Sequence, residues 1–337
     1  MKIAVVILNW NGKDWLEKFL PSVVKHSTPL ARIVVADNDS TDDSLSFLDQ
    51  NYPEVIQIKN PENGGYAKGY NQALAQLDDD YFILLNSDVE VEENWLSPMI
   101  DLMEKDRSIA ACQPKILSYH EKDRFEYAGA AGGYLDRYGY PFCRGRIFYS
   151  LEKDNGQYND TREIVWATGA AMCVRASDFH SEGGFDDYFF AHHEEIDLCW
   201  RWINKGKRIM YCGTSTVYHV GGGTLKTGSA FKTYLNYRNS LFVLLKNLPA
   251  GKRFGRIFMR MVLDGVSAVQ LLLSGKPSLS IAILKAHIGF YKAFGKMYKK
   301  ANHADKLPAQ LYQKSIVLDY FIKKRKVFTQ LVFSTKK

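Results

Sequence analysis

The sequence predicts an α/β protein with an open, mostly parallel central sheet and an amphipathic helical extension at its C-terminal end. Three observations predict it. Strand and helix signals alternate from the first residues onward, each early strand signal ends on polar residues, and the charge divides sharply along the chain. With 337 residues, 46% of them hydrophobic and 24% charged, the chain can form one large core plus an appendage, and neither a disordered nor a fibrous class fits.

The elements follow in order. "IAVVILN" (3–9) is a short apolar run that passes into Asn-Trp-Asn-Gly rather than a small-residue cleavage site, so it reads as a first strand and not a leader. "DWLEKFLPSVVKH" has helical spacing, "RIVVADN" (32–38) is a second strand, and "TDDSLSFLDQ" opens with a cap pattern in which Asp42 serves the next helix. "VIQIKN" is a third strand, "YAKGYNQALAQL" a helix and "YFILLN" a fourth strand. This β-α-β-α rhythm calls for a mostly parallel sheet. Residues 112–165, rich in Tyr, Gly and Arg, show only loops and short strands. "WATGAAMCVRASDF" suggests a small-residue strand and turn, "GGFDDYFFAHHEEIDLCWRWINKG" a loop entering a helix that stops at Gly206, and "STVYHV" a last strand running into "GGGT". No repeat stands out, and no apolar run is long enough to predict a membrane span. Cys112, Cys143, Cys173, Cys199 and Cys212 are odd in number and form no CxxC pair, which points away from disulfides and cysteine zinc sites and toward a reducing, cytoplasmic setting.

In such sheets ligands bind beyond the carboxyl ends of the strands. Asn9 and Asn11, Asp37 and Asn38, Asn60 and Asn63, and Asn86 and Asp88 all fall there, so the strand ends make one polar rim. A strand-end carboxylate beside a nucleotide pocket is what a divalent cation bridging phosphates requires; Asp88 offers one, with a simple turn cap as the alternative. "GGYAKGYN" lacks GxGxxG spacing after the first strand and no GxxxxGK[ST] occurs, which disfavours dinucleotide-binding and P-loop chemistry.

"VVILNWNG", "VVADNDSTDDS", "NGGYAKGYNQA", "LLNSDVEV", "GAAMCVRASDF", "GGFDDYFFAHHEEIDLCWR" and "VYHVGGG", in that order, resemble the family 2 glycosyltransferases, in particular their rhamnosyltransferase-like branch, over residues 1–240. The resemblance implies a GT-A fold, a Rossmann-like domain that binds a nucleotide-diphospho-sugar donor, with Mg²⁺ or Mn²⁺ and inversion at the anomeric carbon. It implies that Asp88, in the shortened Asp-x-Asp motif "NSD", holds the metal and that His219 completes its shell. Asn86 is placed near the donor ribose, and Asp37 and Asn38 at the edge of uracil or thymine. Gly64 and Gly65 admit the donor to the backbone, and Asn9, Asn11 and Asn71 complete the donor-site set.

An inverting transfer needs one base for the acceptor hydroxyl, and a carboxylate suits that task. The family usually shows Glu-Asp with the aspartate as base; this chain reads Glu194-Glu195, so Glu195 takes that place with one extra methylene. Glu194 stays open as the base, because neighbours at a helix start face different ways. Asp197 orients or caps, and the helix dipole alone also favours acids here. His192 and His193 beside these glutamates lack the i, i+4 spacing of a helical zinc protease site. Trp166 is either core or a platform for the acceptor.

From Lys246 onward there are 19 Lys/Arg against 3 Asp/Glu, a net +16, leaving 25 against 34, or −9, before it. Arg256, Arg260 and Asp264 form a polar stripe on an otherwise apolar helix, while Ile281, Leu284, Ile288 and Tyr291 share one face of the next and Lys285, Lys292, Lys296 and Lys299 another. Basic amphipathic helices suit an anionic membrane surface; a homo-oligomer contact is the alternative, and nucleic acid is not expected because no binding motif accompanies the charge. The expectation is therefore a glycosyltransferase domain over 1–240 and a basic helical region over 241–337. The enzyme would move a sugar from dTDP-rhamnose, or next a UDP-sugar, to a glycan or lipid-linked acceptor in cell-surface polysaccharide synthesis, cytoplasmic and peripheral at the inner face of the membrane. A sugar-phosphate nucleotidyltransferase would need a glycine-rich basic loop after the first strand, which is missing. A non-catalytic nucleotide-sugar-binding subunit stays open to an assay of donor turnover with Mn²⁺.

Overall fold

The computed structural model describes residues 1–221, 228–302 and 306–333. The first half alternates as the periodicity requires: β1 (Ile3–Asn9), α1 (Lys13–Ser27), β2 (Arg32–Asp37), α2 (Ser44–Asn51), β3 (Ile56–Lys59), α3 (Gly65–Leu74), β4 (Tyr81–Asn86), the short β5 (Val89–Val91) and α4 (Ser97–Lys105). β1, β2 and β4 are apolar at nearly every position because both faces of the sheet are covered. Ala4, Val6, Val34, Ala36, Phe82 and Leu84 face a core with α3 residues Ala67, Tyr70 and Leu74. Their neighbours Val5, Ile7, Ile33, Val35, Ile83 and Leu85 face Leu16, Leu20 and Val23 of α1 and Met99 and Met103 of α4. The period of two thus fills two cores from one set of strands.

β6 (Ile109–Ser118) is a long buried strand that overlaps the region expected to be irregular. The rest of that region holds β7 (Gly133–Leu135), β8 (Pro141–Cys143), β9 (Arg146–Ile147) and β10 (Ser150–Leu151), which form a separate four-stranded antiparallel sheet. β11 (Thr161–Ile164), β12 (Ala171–Arg175), α5 (Ala176–Ser181), α6 (Glu194–Asn204) and β13 (Arg208–His219) follow. The main sheet runs β11-β13-β6-β12-β4-β1-β2-β3, with β5 paired to β13. β3, β2, β1 and β4 are parallel, and β12 enters antiparallel between β4 and β6. "STVYHV" is only the end of β13, which runs past a register shift between Cys212 and Thr216. The glycines after Gly221 lie outside the described residues.

Trp166 resolves as core: it is buried, its indole Nε1 donates to Tyr134 O at 3.0 Å, and its ring lies against Gly133. The five cysteines are free and buried.

The boundary expected after residue 240 falls inside a continuous helix, α7 (Ala230–Asn247), whose Leu241, Phe242, Leu244 and Leu245 belong to the same core as the sheet. α8 (Ala250–Leu273) and α9 (Pro277–Lys299) pack beyond it, and residues from Leu311 to Leu331 return to the small sheet. The periodicity gives the stripes, and packing decides their orientation. On α8 the polar stripe faces inward: Arg260 donates to Asp264 at 2.8 Å and its guanidinium sits 3.8 Å over the Tyr140 ring, while Phe254, Phe258, Val262, Val266, Val269 and Leu273 face out. On α9 a second apolar face, including Ile283, Ala286, Phe290 and Met297, makes the core contact, and Ile281, Leu284, Ile288 and Tyr291 remain exposed beside Lys285 and Lys292. Among the described residues no helix is long and apolar enough to cross a membrane.

Candidate active site

Parallel strands bring β1, β2 and β4 to a common edge, and their ends build its floor. Asn9 and Asp37 are register partners, so Asn9 Nδ2 donates to Asp37 Oδ2 at 3.0 Å, while Asp37 Oδ1 accepts from Ser40 N at 2.8 Å. Asn11, at φ 47°, accepts from Thr41 N at 2.7 Å. Asp42 caps two helices at once, accepting from Lys13 N at 3.0 Å and Ser44 N at 3.1 Å. Asn38 is buried among Asn60, Asn63 and Gly65 O. The side chains of Asp37 and Asn38 are therefore anchored within the floor; Asp39, exposed at φ 64°, is the acid of this turn that carries no hydrogen bond among the described residues.

Asp88 and His219 meet because β5 pairs with the end of β13, placing His219 opposite Val89. His219 Nε2 lies 3.2 Å from Asp88 Oδ1 and 3.4 Å from Asn86 Nδ2, and its Nδ1 lies 3.2 Å from Glu126 Oε2. Burial disfavours the imidazolium, but Asp88 and then Glu126 overcome it and raise His219 to about 10. Burial likewise opposes the Asp88 anion, and the His219 charge overrides it, leaving that carboxyl below its ordinary value. Glu126 escaped the sequence reading: it sits in a loop 93 residues before His219, with no motif around it.

These residues fit a hard divalent cation. Asp88 supplies a carboxylate oxygen and His219 Nε2 a nitrogen, and a carboxylate on the far ring nitrogen is the outer partner that metal-binding histidines ordinarily have. No group of three His, Cys, Asp or Glu among the described residues forms a complete cage. That suits a cation whose other ligands are phosphate and water.

The loop before α6 forms the opposite wall. Phe190, His192 and His193 all have positive φ, a costly backbone for residues with side chains. Two elements hold it. Phe190 O caps α3, accepting from Tyr66 N at 2.7 Å, and a Cβ on Gly65 would come within 2.5 Å of that oxygen. Gly65 thus makes room for this loop, whereas a Cβ on Gly64 meets only the flexible Lys68 side chain. Asn239 of α7 donates to Phe189 O, Ala191 O and His192 O at 3.0, 3.0 and 2.7 Å. Nothing in the sequence around Asn239 reveals that role. Asn239→Ala should cost about 1–3 kcal/mol of stability in urea unfolding; a loss below that would show that the loop holds its shape unaided.

Glu194 and Glu195 each keep one carboxylate oxygen buried without a hydrogen-bond partner. Burial pushes both carboxyls up, and the negative charge of Glu195 pushes Glu194 further. Tyr66, whose hydroxyl donates to Gly169 O at 2.8 Å, lies within reach of both charges. On α7, burial lowers the Lys232 ammonium, with Glu126 only partly offsetting it. Burial, with Lys232 adding, takes His192 down to about 4. Asp197 is not in this cleft. Fully buried on the other side of α6, it accepts from Arg201, Lys246 and Asn247 at 3.0, 2.7 and 2.8 Å. Asn71 is also engaged elsewhere, exchanging hydrogen bonds with Phe185 O and N at 2.9 Å each.

A strand-end carboxylate and histidine at a nucleotide-type sheet edge, with two unpartnered glutamates at the head of α6, suit a group-transfer enzyme with a GT-A fold. The chain belongs to family 2 of the glycosyltransferases: the model of "Glycosyl transferase family 2" matches residues 4–171, which span β1 to the start of β12. It is 26% identical over 296 residues to the N-acetylglucosaminyl-diphospho-decaprenol L-rhamnosyltransferase of Mycobacterium tuberculosis, covering 82% of this chain and 94% of that one. It is 26% identical over 268 residues to the rhamnosyltransferase WbbL of Escherichia coli, covering 76% and 97%. Similar solved structures include S. aureus TarS 1-349 in complex with UDP-GlcNAc (TM-score 0.57, 15% identity, 89% and 84% covered). Another is the mannosyltransferase PcManGT of Pyrobaculum calidifontis with GDP-Man and Mn²⁺ (TM-score 0.54, 12% identity, 86% and 87% covered).

Proposed function

We propose that this glycosyltransferase moves L-rhamnose from dTDP-rhamnose, or failing that a hexose from a UDP-sugar, with inversion onto a glycan or lipid-linked saccharide used in cell-surface polysaccharide synthesis. The observation that carries it is the 3.2 Å approach of Asp88 and His219 at the strand ends, in a chain that also holds unpartnered carboxylate oxygens on Glu194 and Glu195 at the head of α6. The rhamnosyltransferase relatives support the sugar, and the first of them, by its name, a lipid-linked acceptor. Mn²⁺ accompanies the neighbour PcManGT, which supports a divalent cation without choosing between Mg²⁺ and Mn²⁺.

Asp88 Oδ1 and His219 Nε2 would hold that cation. When bound, it supplies positive charge to the departing diphosphate. Glu126 keeps the His219 ring oriented with Nε2 toward Asp88. Glu195 takes the acceptor proton onto its unpartnered oxygen as the acceptor oxygen bonds to the anomeric carbon and the bond to diphosphate breaks. Burial raises both carboxyls of the pair, so the proton shared between Glu194 and Glu195 is held more tightly than on an ordinary carboxylate. The enzyme works at the cytoplasmic face of the membrane, peripheral to it, where a lipid-linked acceptor is found.

Calorimetry with dTDP-rhamnose and UDP-sugars, with and without Mn²⁺, tests the donor and the metal together. Asp88→Ala and His219→Ala should each weaken the Mn²⁺-dependent part of donor binding by more than about tenfold, since even outer-partner changes reach that size. An Asp88→Ala protein with unaltered affinity and metal requirement would refute the site. Donor binding without any turnover across acceptors would instead favour a non-catalytic subunit.

A further inference from the structure

The α8–α9 hairpin is inverted relative to an ordinary surface pair, which exposes its polar side. α8 seals Arg253, Arg260 and Asp264 against the protein and turns an unbroken apolar stripe outward, with Phe258 66% and Leu273 83% exposed. The exposed stripe of α9 lies alongside: Phe254 stacks near Tyr298 at 6.5 Å between ring centres, and the Tyr291 hydroxyl donates to Met261 Sδ at 3.4 Å. An apolar surface of this extent is a place of contact rather than a solvated face.

We propose that this hairpin docks flat on an anionic lipid bilayer, its apolar stripes entering the interface and its lysines meeting the headgroups. Charge complementarity selects that occupant. Lys252, Lys276, Lys285, Lys292 and Lys299 are exposed on the hairpin, while the only acid from Ala250 to Lys300, Asp264, is fully buried. A second copy seated on the same face would set these lysines against their own equivalents, because a two-fold contact pairs a patch with itself. Neither helix is apolar enough along its length to cross the bilayer, so the contact is interfacial. The docking rests on the lipid-linked-acceptor reading for its purpose only; its evidence is the inverted face.

The test is flotation of the full chain with vesicles of phosphatidylglycerol and phosphatidylethanolamine, and with phosphatidylcholine alone, at two salt concentrations. The wild type should float with the anionic vesicles and less at high salt. Phe258→Gln/Val266→Gln/Leu273→Gln, all at exposed positions, should keep the melting temperature and lose about tenfold or more in partition. Lys285→Gln/Lys292→Gln should lose about thirtyfold at low salt. A triple variant that floats like wild type overturns the proposal. So does a wild type that stays free of vesicles and sediments as a dimer dissociated by the triple variant, which assigns the face to a second copy. Flotation uses no donor, so its failure leaves the transfer reading standing, and failed donor binding leaves this surface standing.

Discussion

Glu195→Gln is expected to bind donor as the wild type does and to transfer sugar about 10²- to 10⁴-fold more slowly, the usual worth of a general base. The amide keeps the size and much of the hydrogen bonding of the carboxylate but cannot take the acceptor proton. Glu195 is suited to that proton because one oxygen is unpartnered and because burial raises its carboxyl toward the range where a base is effective. The pH dependence has a definite sign. A base with a raised pKa is active only when ionised, so transfer should still be climbing with pH where an ordinary carboxylate, near about 4.3, is already fully ionised. Steady-state rates of Glu195→Gln and Glu194→Gln, with donor affinity measured alongside, decide the matter. A fast Glu195→Gln beside an inactive Glu194→Gln would move the base to Glu194.

Asp197→Ala should cost about 3–5 kcal/mol in urea unfolding, a larger effect on stability than any other single change proposed for this protein. The carboxylate is the buried anion between Arg201 and Lys246, and Lys246 continues to Asp186 at 2.8 Å, which in turn meets Lys300 at 2.7 Å. Removing it leaves two buried cations short of a partner, and that penalty exceeds the worth of the pair itself. The cluster also makes a pH-dependent contribution to stability. Burial raises the Asp186 carboxyl, but Lys246 and Lys300 outweigh it and hold the group at about 2. Its contribution is therefore complete above the unfolded value of about 3.9 and is lost as pH falls through about 2. A loss below about 1 kcal/mol in Asp197→Ala, the size of a surface pair, would show that the cluster is not what joins α6 to α7.

Asp197 also shows where legibility ended. Its spacing from Glu195 is two residues, which on a helix turns a side chain well away from its neighbour. One carboxylate therefore keeps an unpartnered oxygen and the other closes on α7. The sequence carried the residue types but not what stood behind each face. Asp37 is similar: the motif places it at a strand end, and only its register partner Asn9 and the Ser40 turn show that its oxygens are already engaged.

By itself the sequence determined the mostly parallel sheet and the polar rim, because an apolar run closed by polar residues is a local pattern that strand geometry turns into position. The ordered motifs, through the family they resemble, singled out Asp88, His219 and the glutamates at the head of α6. Tertiary structure alone decided that Glu126 backs His219, that Lys232 and Asn239 of α7 reach the cleft and its strained loop, and that α8 turns its polar stripe inward. Those contacts join residues far apart in the chain. Periodicity says which side chains share a face, but which face is buried depends on the partner it meets, and for α8 that partner is Tyr140 and the backbone at Tyr138 and Gly139, more than a hundred residues away.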